Sequence, residues 1–437
     1  MSQSIKYNKT KIIATMGPAT SSVPMLKKII KAGVDVCRVN FSHGDWDTHL
    51  EVINNIREAN RELGTNVAIL GDLQGPKLRI GKVENNSMLL EEGATMTLTT
   101  EATISSGTTI YVKYSTLARD VKVGERVLLD DGKLELEFSK RIDESTVEAV
   151  VINGGYLSSN KGFNLPSSDM SVGSLTPKDR KDLEFIIKHD FDWVALSFVR
   201  EEKDIIELRE ILKENNCHAH IVAKIEKPQA VENIDGIIAV TDAIMVARGD
   251  LGVEMPMEQV PVIQKRIVTK CIAASKPVII ATQMMESMIT SPTPTRAEAN
   301  DVANAVMDGA DAVMLSAETS VGEYPLKAVQ AVERILGSTE QGWNVYNKFQ
   351  KPDPLSPSFI SDRICYATVS MSEGIRANAI ISMTLSGYTA YKIAGGRAKC
   401  DVFIFTANHR LLTRLRLVWH VRAFFYNKKT NTDETIS

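Results

Sequence analysis

The chain of 437 residues is longer than one ordinary hydrophobic core supports, so the sequence predicts more than one domain. Its 43% hydrophobic and 24% charged residues are typical of a soluble globular protein, and a net charge of −3 provides no general attraction to nucleic acid or anionic membranes. The five cysteines are scattered without a C-x-x-C pair, which argues against disulfides and a zinc site. The N-terminus has no signal-peptide core, and no apolar run has membrane-spanning length. Together these features predict a cytoplasmic protein.

Eight short apolar runs, rich in β-branched residues, alternate with amphipathic helical stretches. Each is nearly continuous up to its last positions, as expected of parallel strands buried on both faces. The runs are TKIIATMG (10–17), DVCRVNFS (35–42), VAILGDLQ (67–74), WVALSFV (193–199), IVAKIE (221–226), AIMVARGD (243–250), PVIIATQM (277–284) and AVMLSAET (312–319). Thr176-Pro177 is typical of a helix start, and Thr295 to Glu298 has capping-box spacing. The count of eight predicts an α/β fold with a (β/α)₈ TIM barrel over 1–75 and 162–340, rather than a doubly wound sheet.

A long stretch between the third and fourth runs, residues 76–161, contains no convincing amphipathic helix. It holds β-rich segments separated by Gly and Asp turns, namely ATMTLTT, TIYVKY, KLELEF and STVEAVV. These segments predict a small all-β barrel domain inserted on the carboxyl face of the (β/α)₈ barrel. Such a position suits a lid over an active site.

The sequence changes character again after the Pro-rich segment QKPDPLSPS. The sequence predicts a third, α/β unit over 350–437. Its predicted elements are a helix over 361–376, the strand AIISMT, a further helix and the strand VFIFT. The polar ending NKKTNTDETIS is expected to be frayed.

Polar residues share one face at the end of the second run. Arg38, Asn40 and Ser42 occupy every second position, so a strand places all three side chains on the same side. A simple transition from strand to polar loop would also give polar residues here. Three polar groups headed by Arg are costly on a buried strand unless they have partners, so the pattern favours a functional site.

The fifth and sixth runs end in charged residues that suit metal and phosphate chemistry. Lys224 and Glu226 alternate onto one face, although a buried ion pair is a serious alternative. With Asp250, Glu226 would give two oxygen ligands for Mg²⁺, and a lysine beside such a metal suits phosphoryl transfer. Gly249 and Gly252 would let a ligand approach the backbone. A hydroxyl at Thr282, after the seventh run, either caps the next helix or faces the same cavity.

Longer segments resemble the pyruvate kinase family along nearly the whole predicted barrel and in the family's order. They are RVNFSHG, GDLQGPKLRIG, KGFNLP, ALSFVR, IVAKIEKPQAVENID, MVARGDLGVEMP, ATQMMESMITSPTPTRAEANDVANAV and DGADAVMLSAETSVGEYP. The resemblance implies Mg²⁺-dependent transfer of the phosphoryl group of phosphoenolpyruvate to ADP, giving pyruvate and ATP. Mn²⁺ is an alternative metal.

The resemblance also implies roles for individual residues. Lys224, Arg38 and Thr282 would be catalytic, with Thr282 organising protonation of the enolate, while Glu226 and Asp250 would bind the metal. The residues implied in substrate binding are Arg38, Lys224, Gly249, Asp250 and Thr282. The residues implied in nucleotide binding are Asn40, His43, Arg79 and Lys161.

A monovalent-cation cage is implied at four positions, of which the last contributes its carbonyl: Asn40, Ser42, Asp72 and Leu73. The commoner family text has Thr, Lys and Glu where this chain has Leu73, Gln74 and Lys77. An ammonium at Lys77 would replace K⁺, so the sequence predicts activity that does not require K⁺. The alternative is that Lys77 points to solvent.

The C-terminal unit departs from the family pattern, because the further strands that members usually have are not found in the sequence. The sequence therefore predicts a shortened domain. TLSGYTAYKIA resembles the family's effector loop for a phosphorylated metabolite, at Thr384, Ser386, Gly387 and Thr389. Resemblance also implies a homotetramer. Two alternatives stay open: a metal-dependent aldolase or lyase acting on pyruvate or phosphoenolpyruvate, and a non-catalytic, truncated or regulatory homologue that binds phosphometabolites or partner proteins.

Overall fold

The computed structural model describes residues 7–168, 170–344, 346 and 351–427. The first segment alternates three strands with two helices: β1 (Lys11–Thr15), α1 (Val23–Lys31), β2 (Val34–Asn40), α2 (Trp46–Leu63) and β3 (Ala68–Asp72). The strands are buried along almost their whole length, as their continuous apolar runs predicted. Helix α2 begins where the Asp45 carboxylate accepts a hydrogen bond from the Thr48 amide.

The inserted segment is a β domain with a core of its own. Its elements are β4 (Met88–Leu90), β5 (Thr95–Thr99), β6 (Thr109–Tyr111), α3 (Leu117–Asp120), β7 (Arg126–Leu129), β8 (Leu134–Arg141), β9 (Thr146–Asn153), β10 (Gly155–Leu157) and β11 (Phe163–Asn164). Six strands form a sheet in the order β11-β7-β8-β9-β5-β6, and β10 pairs with β4. Single bridges join Arg79 to Gly162 and Ile80 to Val112, so the two edges of the six-stranded sheet meet through this segment.

The β domain extends past residue 161, where the sequence analysis placed its end. Strand β11 pairs with β7 rather than with the barrel. Phe163, Leu165 and Met170 pack into the same apolar cluster as Ile80 and Leu136. The extension arises because the apolar residues of KGFNLP alternate, so that they face the core of the inserted domain.

The remaining barrel elements follow in order: α4 (Pro177–Lys188), β12 (Trp193–Leu196), α5 (Glu202–Glu214), β13 (His220–Ile225), α6 (Pro228–Glu232), α7 (Ile234–Val240), β14 (Ala243–Ala247), α8 (Arg248–Glu254), α9 (Val260–Ala274), β15 (Val278–Ala281), α10 (Arg296–Asp308), β16 (Ala312–Leu315), α11 (Ala317–Ser320) and α12 (Pro325–Gly342). Eight parallel strands close in the order β1-β16-β15-β14-β13-β12-β3-β2, which confirms the predicted barrel. Both predicted helix starts form capping boxes, Thr176 with Asp179 and Thr295 with Glu298.

The C-terminal unit comprises α13 (Phe359–Gly374), β17 (Ala379–Met383), α14 (Tyr388–Gly395), β18 (Asp401–Thr406), α15 (His409–Arg414) and β19 (Val421–Phe425). Within the described part of the chain its sheet has three parallel strands, β17-β18-β19. The sequence analysis predicted two of them and missed β19, because the helix before it has only six residues and shows no amphipathic pattern. Most of the ending expected to be frayed, residues 428–437, lies outside the described residues.

Four aspartates form a ring at the amino-terminal end of the barrel, one on every second strand. Each accepts a hydrogen bond from the main-chain N–H at the start of the neighbouring strand. The pairs are Asp35 with Ile12 (3.2 Å), Asp192 with Ile69 (2.8 Å), Asp242 with Ile221 (2.8 Å) and Asp311 with Val278 (3.1 Å). The carboxylates of this aspartate ring therefore satisfy N–H groups that the staggered strands leave without a sheet partner.

The C-terminal unit contacts three members of the aspartate ring. The guanidinium of Arg397 binds both oxygens of Asp311, at 3.0 and 2.9 Å. Arg416 lies 3.6 Å from Asp35, and the hydroxyl of Thr413 donates a hydrogen bond to Asp192; these contacts share the base of the barrel.

The side chain of Leu417 lies inside the barrel, at its amino-terminal end. It belongs to the apolar cluster of the barrel interior, with Trp193 and Met245, and is fully buried. The side chain comes from the short turn between α15 and β19, so the C-terminal unit supplies part of the barrel's own core. In the part of the chain that the structure describes, no helix is long and apolar enough to cross a membrane.

Candidate active site

Lys224 lies at the centre of the site, near the carboxyl end of β13. Its Nζ is 3.2 Å from Asp72 Oδ1 and 3.0 Å from Glu226 Oε1, and it donates a 2.7 Å hydrogen bond to Ser197 Oγ. Burial lowers the pKa of Lys224, but the carboxylates of Asp72 and Glu226 outweigh it and raise the pKa above the ordinary value of lysine. The result is a largely buried ammonium that stays charged near neutral pH.

Arg38 is joined to Lys224 through Asp72. The Arg38 Nε donates a 2.7 Å hydrogen bond to Asp72 Oδ2, and Nη1 donates to Thr15 Oγ1 at 2.9 Å. Burial raises the pKa of the Asp72 carboxyl, but Lys224 and Arg38 together bring that pKa below its usual value. One carboxylate therefore orients two cations, which the sequence analysis named separately, towards the same space.

Glu226 follows β13 directly and has both oxygens engaged. Oε1 faces Lys224, and Oε2 accepts a 2.7 Å hydrogen bond from the main-chain N–H of Phe198. Phe198 has φ +54°, an uncommon conformation for a residue with a side chain. The strained turn after β12 thus points its N–H at the carboxylate, and backbone strain of this kind is often found at functional sites.

The carboxylates of Glu226 and Asp250 suit a divalent cation. Burial raises the pKa of Glu226, the attraction of Lys224 lowers it, and the nearby negative charge of Asp250 raises it again, so the two carboxylates repel one another. No group of three His, Cys, Asp or Glu side chains among the described residues could hold a metal. Two carboxylates with substrate oxygens and water are a usual environment for Mg²⁺, so the donor set fits that ion.

Gly249 and Asp250 lie in the first turn of α8, which begins immediately after β14. The sequence analysis extended this run as a strand to Asp250, whereas the strand ends at Ala247. The early helix start presents Gly249 and Asp250 at the mouth of the barrel. Lys77, from the loop that leads into the lid, lies with Nζ 3.6 Å from Asp250 Oδ1.

Thr282 follows β15 in a left-handed conformation, with φ +75°, and Gln283 after it has φ +56°. The main-chain oxygen of Thr282 accepts a 2.8 Å hydrogen bond from Arg248 Nη2. Arg248 also forms a two-bond ion pair with Asp301 of α10, at 2.7 and 2.6 Å. Sequence reasoning missed Arg248 and Asp301: the ARGD motif drew attention to its Asp, and no spacing rule links it to a helix 53 residues later.

The residues implied in the monovalent-cation cage have partners within the protein. Asn40 Oδ1 accepts a 3.1 Å hydrogen bond from the Ser42 amide, and the Leu73 carbonyl accepts one of 2.6 Å from Ser197 Oγ. The fourth member, Asp72, is the carboxylate shared by the two cations of the site. Lys77, which the sequence predicts near this cage, forms an ion pair with Asp250.

Two residues implied in nucleotide binding lie at the base of the inserted β domain, the predicted lid. Arg79 donates a 3.0 Å hydrogen bond from Nη1 to the carbonyl of Asn160, and Lys161 Nζ lies 2.8 Å from Asp130 Oδ1. His43 is exposed after β2, and its main-chain N–H donates to the carbonyl of Asn40.

A cavity of about 850 Å³ opens beside these groups. Its walls include Lys77 and Gly249, Asp250 and Thr282, together with Asp131 of the lid. Lys224, Glu226 and Arg38 are not among its lining residues. Most of the remaining lining comes from α8, α9 and α10, so the cavity extends from the carboxyl ends of β14 and β15 along these helices.

The predicted effector loop lies in the C-terminal unit, between β17 and α14, and is folded by its own hydroxyls. Thr384 Oγ1 accepts a 2.9 Å hydrogen bond from the Gly387 amide, and Ser386 Oγ accepts one of 3.3 Å from the Tyr388 amide. Thr389 Oγ1 is buried and, among the described residues, has no hydrogen-bond partner.

Comparisons with known proteins agree on one family. A family model described as "Pyruvate kinase, barrel domain" matches residues 7–329, and a second, "Pyruvate kinase, alpha/beta domain", matches residues 362–437.

Individual relatives match nearly the whole chain. The sequence is 42% identical over 431 residues to a pyruvate kinase of Geobacillus stearothermophilus, which covers 98% of this chain and 73% of that protein. It is 41% identical to a pyruvate kinase of Mycobacterium tuberculosis, over 98% of this chain and 89% of the relative. A crystal structure of a pyruvate kinase from Cryptosporidium parvum superposes with a TM-score of 0.93 at 35% identity, over 98% of this chain and 89% of the other.

Proposed function

This chain belongs to the pyruvate kinase family and is a phosphotransferase of glycolysis, converting phosphoenolpyruvate and ADP into pyruvate and ATP, and we propose that it does so at the Lys224 site. The observation that carries the proposal is the position of the Lys224 ammonium between the carboxylates of Asp72 and Glu226. Phosphoryl transfer needs fixed positive charge around the migrating group more than it needs covalent chemistry.

Mg²⁺ is the metal that the site would hold, through the carboxylates of Glu226 and Asp250. When bound, it would supply positive charge beside the oxygens of the substrates. The support is the repulsion between these two carboxylates and the exposure of Asp250, which leaves room for substrate oxygens and water to complete the coordination. Mn²⁺, which prefers the same oxygen ligands, would serve as well.

Lys224 and Arg38 would balance the charge of the phosphoryl group as it moves. Both cations are held by Asp72, so they are already in position before the substrate arrives. The bond from phosphorus to the enol oxygen breaks while a bond from phosphorus to a terminal oxygen of ADP forms. The electron pair stays on the enol oxygen, which leaves the enolate of pyruvate.

The enolate then takes a proton at its terminal carbon, which completes pyruvate. Thr282 would organise this proton, since it lies on the wall of the cavity next to Gly249 and Asp250. The main-chain groups of Gly249 and Asp250 at the start of α8 would meet the substrate beside it. The hydroxyl of a threonine is a weak acid, so its role is to orient the donor rather than to act alone.

The lid would hold the nucleotide and exclude water. Arg79 and Lys161 lie at the base of the lid, where their cations can meet the phosphates of ADP. The exposed His43 and the amide of Asn40 would contact the nucleotide from the barrel side. Closure over the cavity would prevent hydrolysis of the phosphoryl donor.

K⁺ would not be required, because Lys77 would supply a fixed positive charge beside the substrate. Its ammonium lies 3.6 Å from Asp250 and on the wall of the cavity. The carbonyl of Leu73 and the carboxylate of Asp72, two of the four cage groups, already have hydrogen-bond partners. An internal ammonium therefore fits this site better than a cage that must release its oxygens to a bound cation.

Regulation by a phosphorylated metabolite and assembly into a homotetramer would be as in other members of the family. The loop of Thr384, Ser386, Gly387 and Thr389 would take the phosphate of a metabolite effector, and the unpartnered hydroxyl of Thr389 supports this. The enzyme would act in the cytoplasm as a homotetramer. Calorimetric titration with sugar phosphates and sedimentation of the full chain test these two points separately.

The activity is tested by measuring pyruvate formation from phosphoenolpyruvate, with ADP and Mg²⁺ each omitted in turn. Turnover that depends on both supports the proposal. Turnover without ADP would favour an aldolase or lyase, and no turnover with all components present would favour a binding protein. Either of these two results contradicts the assignment of the Lys224 site.

A further inference from the structure

Arg248 joins the end of β15 and the turn after it to helix α10, at the wall of the cavity. Its Nε donates to the carbonyl of Ala281 at 3.2 Å, and Nη2 donates to the carbonyl of Thr282 at 2.8 Å. Nη1 and Nη2 bind the two oxygens of Asp301 at 2.7 and 2.6 Å. The side chain is largely buried, so these charge-assisted bonds are protected from competition by water.

The carbonyls that Arg248 binds belong to a strained segment. Thr282 and Gln283 both have positive φ, at +75° and +56°. Such a conformation is unfavourable for a residue with a side chain, and it persists only where the surroundings enforce it. It is especially unfavourable for Thr282, which is β-branched. The guanidinium of Arg248 is an enforcing contact for this turn.

Arg248 is also the first residue of α8, directly before Gly249 and Asp250. One side chain therefore fixes the strained Thr282 turn relative to the helix start that would bind the substrate. Asp301 binds both terminal nitrogens of the guanidinium, so the guanidinium cannot rotate away from the Thr282 turn.

We propose that Arg248, held by Asp301, is a positioning residue for protonation of the enolate, because it sets the place of the Thr282 hydroxyl relative to Gly249 and Asp250. The inference rests on the proposed function of the Lys224 site. Arg248 touches neither the reacting atoms nor the phosphoryl group. Its main-chain contacts are with Ala281 and Thr282, and the lid residues that would bind the nucleotide, Arg79 and Lys161, have other partners.

Lysine cannot replace arginine at this position. The guanidinium serves two main-chain oxygens and two carboxylate oxygens from one plane, whereas an ammonium is a single point of charge on a flexible stem. Arg248→Lys keeps the charge and most of the volume but loses the planar guanidinium that makes these bonds together. Asp301→Asn keeps an acceptor and removes the negative charge that holds the guanidinium in place.

Arg209 provides a matched control at the opposite end of the barrel. It donates from Nη2 to the carbonyl of Val240 at 2.8 Å and to Asp242 Oδ2 at 3.0 Å. Arg209→Lys removes the same kind of contact between a loop carbonyl and an aspartate, but away from the cavity.

The experiment compares the full-length wild type with Arg248→Lys, Asp301→Asn and Arg209→Lys. It measures kcat, KM for each substrate, the thermal unfolding midpoint, and exchange of the methyl protons of pyruvate in D₂O with Mg²⁺ and ATP. For Arg248→Lys we expect kcat and the exchange rate to fall together by about 10- to 100-fold, as for a misplaced catalytic group, with KM for ADP unchanged. Asp301→Asn should show a smaller loss of the same kind, and Arg209→Lys should retain wild-type kcat and exchange.

Two results would overturn the inference while leaving the proposed function intact. One is wild-type exchange in Arg248→Lys, whatever its stability. The other is a loss of kcat in Arg209→Lys that stands in the same proportion to its fall in unfolding midpoint as the loss in Arg248→Lys does. Arg248 would then act only through general stability. A wild type that forms no pyruvate would instead contradict the proposed function itself.

Discussion

Gly249 lies so close to Thr282 that no side chain fits between them. A Cβ at position 249 would stand 2.6 Å from Thr282 Cγ2, whereas ordinary carbon–carbon contacts begin near about 3.5 Å. The next nearest atoms of Thr282 would be 3.5 and 3.6 Å away, at ordinary distances. The whole conflict therefore involves one methyl group of the threonine.

Gly249→Ala is expected to displace Thr282 by nearly 1 Å and to lower kcat/KM for phosphoenolpyruvate by about 10- to 100-fold. The double variant Gly249→Ala/Thr282→Ser removes the opposing methyl group and keeps the hydroxyl, so it should recover most of the loss. Thr282→Ser alone is the control and should remain near wild type. Steady-state kinetics of the four proteins measure the coupling, and additive effects of the two substitutions would contradict the close packing as the cause.

Lys224→Met is expected to lower kcat by at least about 100-fold, because the migrating phosphoryl group loses a preorganised positive charge. It should also lower the free energy of unfolding by about 3–5 kcal/mol, because it leaves the buried Glu226 carboxylate without a cation and Asp72 with Arg38 alone. Adding Glu226→Gln removes one of these charges and should restore part of the stability without restoring turnover. Denaturant unfolding and kinetics separate the two effects; equal recovery of both would contradict separate roles.

Much of the fold and of the site centre followed from periodicity along the chain. Strands buried on both faces leave continuous apolar runs, so the eight barrel strands were visible without any tertiary information. Polar residues at alternating positions near a strand end, such as Arg38 and Lys224, then had to face the mouth of the barrel. Arg38 reaches Asp72 because β2 and β3 are neighbouring parallel strands, whereas Lys224 reaches it across β12.

Features that depend on contacts between distant segments were not predictable in this way. Arg248 and Asp301 are separated by the whole of α9 and β15, and each taken alone resembles an ordinary surface charge. The aspartate ring was missed because an aspartate before a strand looks like a turn residue. The contact of Lys77 with Asp250 was not predictable either, because the lysine side chain is long and its direction depends on which carboxylate lies within reach.

Leu417→Ala tests the contribution of the C-terminal unit to the barrel interior. The side chain is fully buried in a cluster with residues of all eight barrel strands, so its truncation should lower the free energy of unfolding by about 2–5 kcal/mol. Leu385→Ala is the control, since that leucine is 73% exposed and should change stability by less than about 0.5 kcal/mol. Equal effects of the two substitutions in thermal unfolding would show that Leu417 does not support the barrel.

Asp192 of the aspartate ring makes stability depend on pH. Burial raises the pKa of its carboxyl to about 6, although hydrogen bonds from Thr413 and the Ile69 amide oppose the shift. Arg414 and Asp190 are the charged groups that act on it, with opposite signs. A carboxyl whose pKa is higher in the folded than in the unfolded protein stabilises the fold when protonated, and this contribution is lost as the pH rises through about 6.

Asp192→Asn keeps the shape and one acceptor oxygen without the charge, so it should gain stability relative to wild type as the pH rises. We expect the difference in unfolding free energy to move in favour of the variant by about 1.5 kcal/mol between pH 5 and pH 8. Asp190→Asn is the control, because that neighbouring carboxylate is exposed, and its difference should be nearly independent of pH. A flat difference for Asp192→Asn in urea unfolding would mean that Asp192 stays ionised in the folded protein.

Lys77 is expected to make the activity independent of K⁺. Its ammonium lies beside Asp250 on the wall of the cavity, where it adds the positive charge that a bound monovalent cation would otherwise provide. Wild-type turnover in K⁺-free buffer should therefore match turnover with added KCl, whereas Lys77→Met should lose at least about tenfold in K⁺-free buffer and regain activity with KCl. Lys82→Met, at an exposed lysine of the lid, is the control for loss of one positive charge. Wild-type turnover that appears only with KCl would contradict the role of Lys77, because the charge beside Asp250 would then be insufficient for catalysis.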